Sequence, residues 1–123
     1  MKFEWDENKR DSNLAKHGLD FADAEVVFSD PNALSGPDNR FNDDRWQLIG
    51  KLEDTLIILV AYKELDTETI RVISMRKATT NEKERYFQEL ALHANDPIVH
   101  LLERLERERR FKEESERLKK ENE

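Results

Sequence analysis

The chain has 123 residues, of which 40% are charged and 37% hydrophobic, with a net charge of −7 and no cysteine. That length supports one domain around a modest core. The missing cysteines exclude disulfides, thiol catalysis and thiolate zinc sites and fit a reducing cytosol, while the acidic balance excludes a general polyanion binder.

The first residues, Met1-Lys2-Phe3-Glu4-Trp5-Asp6, hold no apolar signal region. The longest apolar run, residues 56–62, is too short to cross a bilayer. The expectation is a cytoplasmic protein with no membrane partner.

Residues 2–5 read as a short strand. Asp6 suits the N-cap of a helix over 7–17, and Gly18 supplies the left-handed position that ends it. Asp20 can cap a second helix whose inner face is Phe21, Ala24, Val27 and Phe28. Residues 29–44 read as a loop, broken by Asp30-Pro31 and Gly36-Pro37, with Ala33-Leu34 a candidate brief strand inside it.

Three strands follow. Residues 45–52 alternate, with Trp46, Leu48, Gly50 and Leu52 on one face and Arg45, Gln47, Ile49 and Lys51 on the other. After a turn at Glu53-Asp54-Thr55, residues 56–62 are continuously apolar, as in a central strand buried on both faces. A second turn leads to a strand over 69–75, with Ile70, Val72 and Ser74 on one face and Arg71, Ile73 and Met75 on the other.

Thr79-x-x-Glu82 has the form of a capping box and opens a third helix with Tyr86, Phe87, Leu90 and Ala91 on its apolar face. Asp96-Pro97 starts a fourth helix, apolar at Ile98, Leu101, Leu102 and Leu105. Beyond it, 14 of the 18 residues 106–123 are charged and alternate in sign, as on an exposed helix with i,i+4 pairs. The order predicts an α+β fold: an antiparallel sheet, made of a short N-terminal strand plus a three-stranded meander, packed by helices. Residues 1–95 form the α+β domain and 96–123 a charged helical extension.

No P-loop, dinucleotide fingerprint or nucleophile elbow is present. His17, His93 and His100 do not fall at metal-ligand spacing. No cofactor and no metal is expected. The polar set that stands out is Lys16, His17, Arg45, Arg71, Ser74, Arg76 and Lys77. RNA strand cleavage without a metal needs a base for the 2′-hydroxyl, cations for the charge building on phosphorus, and an acid for the leaving 5′-oxygen. Arginine suits the middle task because its fork matches phosphate oxygens.

Each of these residues also has a structural reading. Lys16 and His17 end a helix, where cations favour the carbonyl dipole. Arg45 has carboxylates nearby, Arg71 suits an outward strand position, Ser74 a small strand residue, Glu82 the capping box, Tyr86 the core, and Trp5 and Trp46 the core or a sheet face. Arg76 and Lys77 flank a helix start, where the dipole disfavours cations, which leans towards function. Arg71 and Arg76 stand five residues apart, so they share a face only if the strand twists or ends before Arg76.

Trp5-Asp6-x-x-Lys9-x-x-x-Asn13-x-x-Lys16-His17-Gly18-x-x-Phe21-x-x-Ala24 resembles the opening of BrnT-type toxins. Arg45-Trp46, Ile49-Gly50, the strand ending at Tyr62, the segment Arg71-Val72-Ile73-Ser74-Met75-Arg76-Lys77-Ala78-Thr79, then Glu82 and Tyr86 continue the resemblance over residues 3–90. Met75 stands where that family often has alanine.

The resemblance implies a RelE-like ribonuclease fold and the toxin of a type II toxin–antitoxin system. Such a toxin cleaves RNA without a metal and inhibits translation. A BrnA-type ribbon-helix-helix antitoxin neutralises it, and operator DNA is contacted only through the complex. It makes Arg71, Ser74 and Arg76 the leading catalytic candidates, followed by Lys16 and His17, with Arg45 and Lys77 as RNA-binding residues. Residues 1–90 carry a net charge of −6, with 13 basic and 19 acidic side chains, so the alternative is a weak or inactive toxin-like module that mainly complexes its antitoxin and tunes repression.

Overall fold

The computed structural model describes the chain except residues 54, 96, 122 and 123, and except the side chains of 93–95, 99, 100, 103 and 119–121. The expected turn residue Asp54, the Asp96 cap and the side chains of His93 and His100 lie outside the described residues. The elements in order are β1 (Lys2–Glu4), α1 (Glu7–His17), a 3-10 turn (Phe21–Asp23), α2 (Ala24–Phe28), β2 (Leu34–Pro37), β3 (Trp46–Glu53), β4 (Leu56–Glu64), β5 (Thr69–Lys77), α3 (Thr80–Asn95) and α4 (Pro97–Glu121). They divide into two compact units, Met1–Phe87 and Gln88–Glu123.

Local signals act as chemistry dictates. The Asp6 side chain accepts the backbone N–H groups of Asn8 and Lys9, and Gly18 sits at φ 69° with its N–H on the Leu14 carbonyl, closing α1 at both ends. Asp20 caps the next segment through Ala22 N–H, but the chain first makes the 3-10 turn and only then α2. A forked pair from Arg10 to Asp20, at 2.7 and 3.0 Å, ties α1 to that turn.

One sheet runs through the first unit in the order β1-β5-β4-β3-β2. β3, β4 and β5 form the expected antiparallel meander, and β2 adds an antiparallel edge. β1 pairs parallel to β5, so the sheet is mixed where sequence suggested it would be wholly antiparallel. The segment between β1 and β5 includes both helices and the meander, which brings the chain back to β1 from the far side. β4 lies at the centre, and its residues are buried on both faces. On one face Ile58, Val60, Tyr62, Ile70, Val72 and Met75 pack with Phe21, Ala24 and Val27 into the main core. Aromatic edges join this layer, Phe28 standing 4.9 Å from Tyr62 and 5.3 Å from Phe3. Ile49, Ile57, Leu59 and Ala61, on the opposite face, are buried too.

In the second unit, α4 leaves Ile98, Leu101, Leu102 and Leu105 exposed. Its charged half carries the expected local pairs, including Arg110 with Glu106 at 2.6 Å and Arg109 with Glu113 at 3.9 Å. No helix among the described residues is long and apolar enough to cross a membrane.

Candidate active site

A β-bulge decides which strand residues meet. In the β4–β5 ladder Ala61 pairs with Ser74, but Tyr62 pairs with Val72, so Ile73 is an extra residue on β5. An extra residue shifts the alternation by one. Residues before and after it therefore change parity, and the faces expected from simple alternation are corrected: Ser74 joins Arg71, while Met75 joins Ile70 and Val72 in the core. The strand does not end before Arg76 but runs to Lys77. Arg71 opposes Lys63, Ser74 opposes Ala61 and Arg76 opposes Leu59. Those three partners alternate along β4, so Arg71, Ser74 and Arg76 share one face of the sheet.

At one end of this face an open cleft of about 440 Å³ is lined by Lys16, His17, Arg76, Lys77 and Thr79. Lys16 and His17 are the last turn of α1. Asn13, one turn earlier and buried, accepts the Met75 N–H through Oδ1 at 3.1 Å, which fixes that helix end beside β5. Arg76 makes a forked pair with Glu82, NH1 to Oε1 at 2.7 Å and NH2 to Oε2 at 3.1 Å. Glu82 also completes the capping box, accepting Thr79 N–H while Thr79 Oγ1 accepts Glu82 N–H. The Arg76 hydrogen bonds hold the Glu82 carboxyl below its ordinary range against the cost of burial. A cation placed unfavourably at a helix start is thus neutralised by that helix's own first-turn carboxylate.

The other end of the face holds three cations side by side. Tyr62 opposes Trp46 and Lys63 opposes Arg71, so Arg45, just before β3, lies next in line to Lys63 of β4 and Arg71 of β5. Arg71 donates to Glu4 at 2.9 Å. Asp43 accepts Arg45 Nε at 2.8 Å and Lys63 Nζ at 3.2 Å through one oxygen. Burial works against the Asp43 carboxylate, yet these bonds hold it below its ordinary range. Its other oxygen, Oδ1, is buried with no partner among the described residues. Sequence reasoning missed Lys63 and Asp43. The signal for Lys63 was its place directly after the apolar run; a loop aspartate such as Asp43 gave none.

The remaining candidates keep structural roles. Tyr86 is buried and donates to Asp30 Oδ2 at 2.6 Å; burial, then that hydrogen bond and the Asp30 charge, push its phenol above the ordinary value. Trp5 stands edge-on to Phe21 at 6.4 Å, and both Trp5 and Trp46 pack against the core. Among the described residues no group of three or more His, Cys, Asp or Glu side chains is placed to hold a metal ion. The site therefore brings Lys16, His17, Arg76 and Lys77 into one cleft, sets Ser74 and Arg71 on the adjoining sheet face, and leaves Arg45 at its far end.

Comparison with known proteins adds an independent line. The sequence model of one family, described as "Ribonuclease toxin, BrnT, of type II toxin-antitoxin system", matches residues 5–82. The crystal structure of the Brucella abortus ribonuclease toxin, BrnT, is similar at 44% identity and a TM-score of 0.54, over 65% of this chain and 99% of that one. No curated protein matches.

Proposed function

This chain belongs to the BrnT family of ribonuclease toxins of type II toxin–antitoxin systems, and on that premise we propose that it cleaves RNA internally, without a metal, at the cleft between α1 and β5. The observation that carries this reading is the gathering of Lys16, His17, Arg76 and Lys77 around one open cleft. In the reaction a base takes the 2′-hydroxyl proton, the freed oxygen attacks the adjacent phosphorus, and the bond to the 5′-oxygen breaks as an acid protonates it. The products are a 2′,3′-cyclic phosphate and a 5′-hydroxyl. Lys16 and His17 supply the proton donor and acceptor, a task imidazole performs near neutrality. Arg76 and Lys77 stabilise the phosphorane charge. Ser74 positions a phosphate oxygen, and Arg71 and Arg45 hold the RNA at the far end of the same face.

Cleavage of RNA in the cytoplasm stops translation, and a ribbon-helix-helix antitoxin of the BrnA type neutralises the toxin and carries the complex to operator DNA. One observation favours a second reading, a weak nuclease that mainly complexes its antitoxin: Arg45, Arg71 and Arg76 each face a carboxylate of the chain itself. Cleavage of RNA by the purified protein in EDTA decides between the two. The expected result is cyclic-phosphate ends and a loss of about 100- to 1000-fold in Arg76→Ala. Cleavage that requires added magnesium overturns the metal-free chemistry, an unaffected Arg76→Ala overturns the site, and a protein that binds antitoxin but cuts no RNA supports the second reading.

A further inference from the structure

The loop of residues 38–45, between β2 and β3, carries a feature that the cleft does not use. Its base is closed by Asp38 N–H on the Arg45 carbonyl at 2.8 Å, and Asp38, buried, grips Arg40 through a fork at 2.9 Å. A loop this well bonded is built to hold its tip. The tip presents Phe41, 45% exposed. The Arg45 guanidinium lies 4.0 Å from the Phe41 ring centroid and that of Arg40 5.6 Å. Arg45 is pinned by Asp43, which also holds Lys63. The two guanidiniums hold the half-exposed ring in place by cation–π attraction.

We propose that Phe41, framed by Arg40 and Arg45 with Lys63 held next to Arg45 by Asp43, is a stacking platform that binds a base of single-stranded RNA next to the nucleotides being cut. This assignment rests on the nuclease reading for the identity of the ligand. The chemistry fits the base and the phosphates of a nucleotide. An aromatic face takes any base, and a base laid on the open part of the ring extends the stack that Arg45 begins. The Lys63 ammonium and the N–H groups of the exposed Arg40 guanidinium that lie outside its fork to Asp38 offer cations to the flanking phosphates. Position fits too. Lys63 and the Arg76 partner Leu59 stand four residues apart on β4, about 13 Å on the same sheet face, and Arg40 is near enough to Glu82 to feel its charge. One strand can therefore lie across the face from the cleft to the loop. A protein partner would equally cover Phe41, but the flanking cations favour a nucleotide.

The test is binding of a 2′-O-methyl RNA oligonucleotide, which cannot be cut, measured by fluorescence anisotropy for the full chain and for Phe41→Ala, Phe41→Leu and Phe41→Trp. Alanine and leucine are expected to weaken binding about 5- to 150-fold, because neither has a π face, and tryptophan to retain it with its fluorescence quenched by the RNA. In cleavage assays Phe41→Ala raises KM with little change in kcat, whereas Arg76→Ala lowers kcat. Unchanged RNA binding in Phe41→Ala overturns the platform while leaving the nuclease standing, and so does a loss confined to antitoxin binding. Equal loss in the tryptophan variant, or a wild-type chain that binds no RNA, also overturns it. A chain that cuts no RNA but loses RNA affinity in Phe41→Ala keeps the platform and removes the nuclease reading.

Discussion

Asn13 and Met75, 62 positions apart in sequence, are joined by a buried hydrogen bond in which the Asn13 amide oxygen accepts the Met75 N–H at 3.1 Å. β1 pairs with β5 only as far as Arg71, so beyond that point no strand among the described residues lies beside the outer edge of β5, and Asn13 takes over. Its amide nitrogen donates to the Leu19 carbonyl at 3.2 Å, so one side chain ties α1, the segment after it and the strand bearing Arg76. Replacing it with leucine keeps the bulk and strands both backbone groups. Denaturant unfolding of Asn13→Leu should show a loss of about 1–3 kcal/mol. Cleavage should fall with it under conditions where the protein is still folded, because Lys16 and His17 ride on the same helix. Wild-type stability in this variant would show that the edge is satisfied in another way.

At Gly50, β3 passes close to Val27 of α2. A Cβ built there would stand 2.9 Å from Val27 Cγ1 and 3.0 Å from the Val27 carbonyl oxygen. The first contact can be relieved by a side chain, the second only by moving backbone. Gly50→Ala should therefore cost about 1–3 kcal/mol of stability. Adding Val27→Ala should restore part of that loss in a double-mutant cycle, since it removes the methyl contact but not the carbonyl one. Full restoration would mean that the carbonyl yields freely.

Acid stability should report on Asp38. Its side chain is almost fully buried, and hydrogen bonds from Arg40 lower its carboxyl from 3.8 to about 2. A carboxyl whose folded value is depressed stabilises the fold above its unfolded value, and that contribution is lost as pH falls through the folded one. Stability from this group should be intact above pH 4 and decline towards pH 2, by on the order of 1–2 kcal/mol given that Arg40 is exposed. Asp38→Asn should flatten the curve over that window. An unchanged curve would show that the fork persists in the unfolded chain or contributes nothing.

What sequence revealed and what it hid divides along local and long-range chemistry. Asp6 and Gly18 mark the ends of α1 in the sequence because capping is settled within four residues, and Thr79 with Glu82 does the same for α3. β4 is legible as a central strand because burial on both faces requires an unbroken apolar run. The parallel pairing of β1 is not, since three residues say nothing about which edge they join. The bulge at Ile73 is hidden for a related reason: alternation along β5 places Arg71 and Arg76 on opposite faces, and only the register against β4 reverses that. Lysine and arginine identify candidates for phosphate contact, but the carboxylate each one meets, Glu82 for Arg76 and Glu4 for Arg71, comes from elsewhere in the chain.

The Arg71–Glu4 pair offers the most direct check on the cation row. Both side chains are more than a third exposed, 40% and 45%, so the pair itself contributes about 0–1 kcal/mol to stability. Its larger consequence is electrostatic, because Glu4 cancels a charge that RNA would use. Glu4→Gln should leave unfolding almost unchanged and tighten binding of an uncleavable single-stranded RNA. Arg71→Ala should weaken that binding and reduce the slope of log K against log salt by about 0.7, the value for one phosphate contact on a single strand. Titrations between 50 and 200 mM KCl measure both effects. A slope that stays the same in both variants would remove Arg71 from the RNA path and leave the pair as the clasp between β1 and β5.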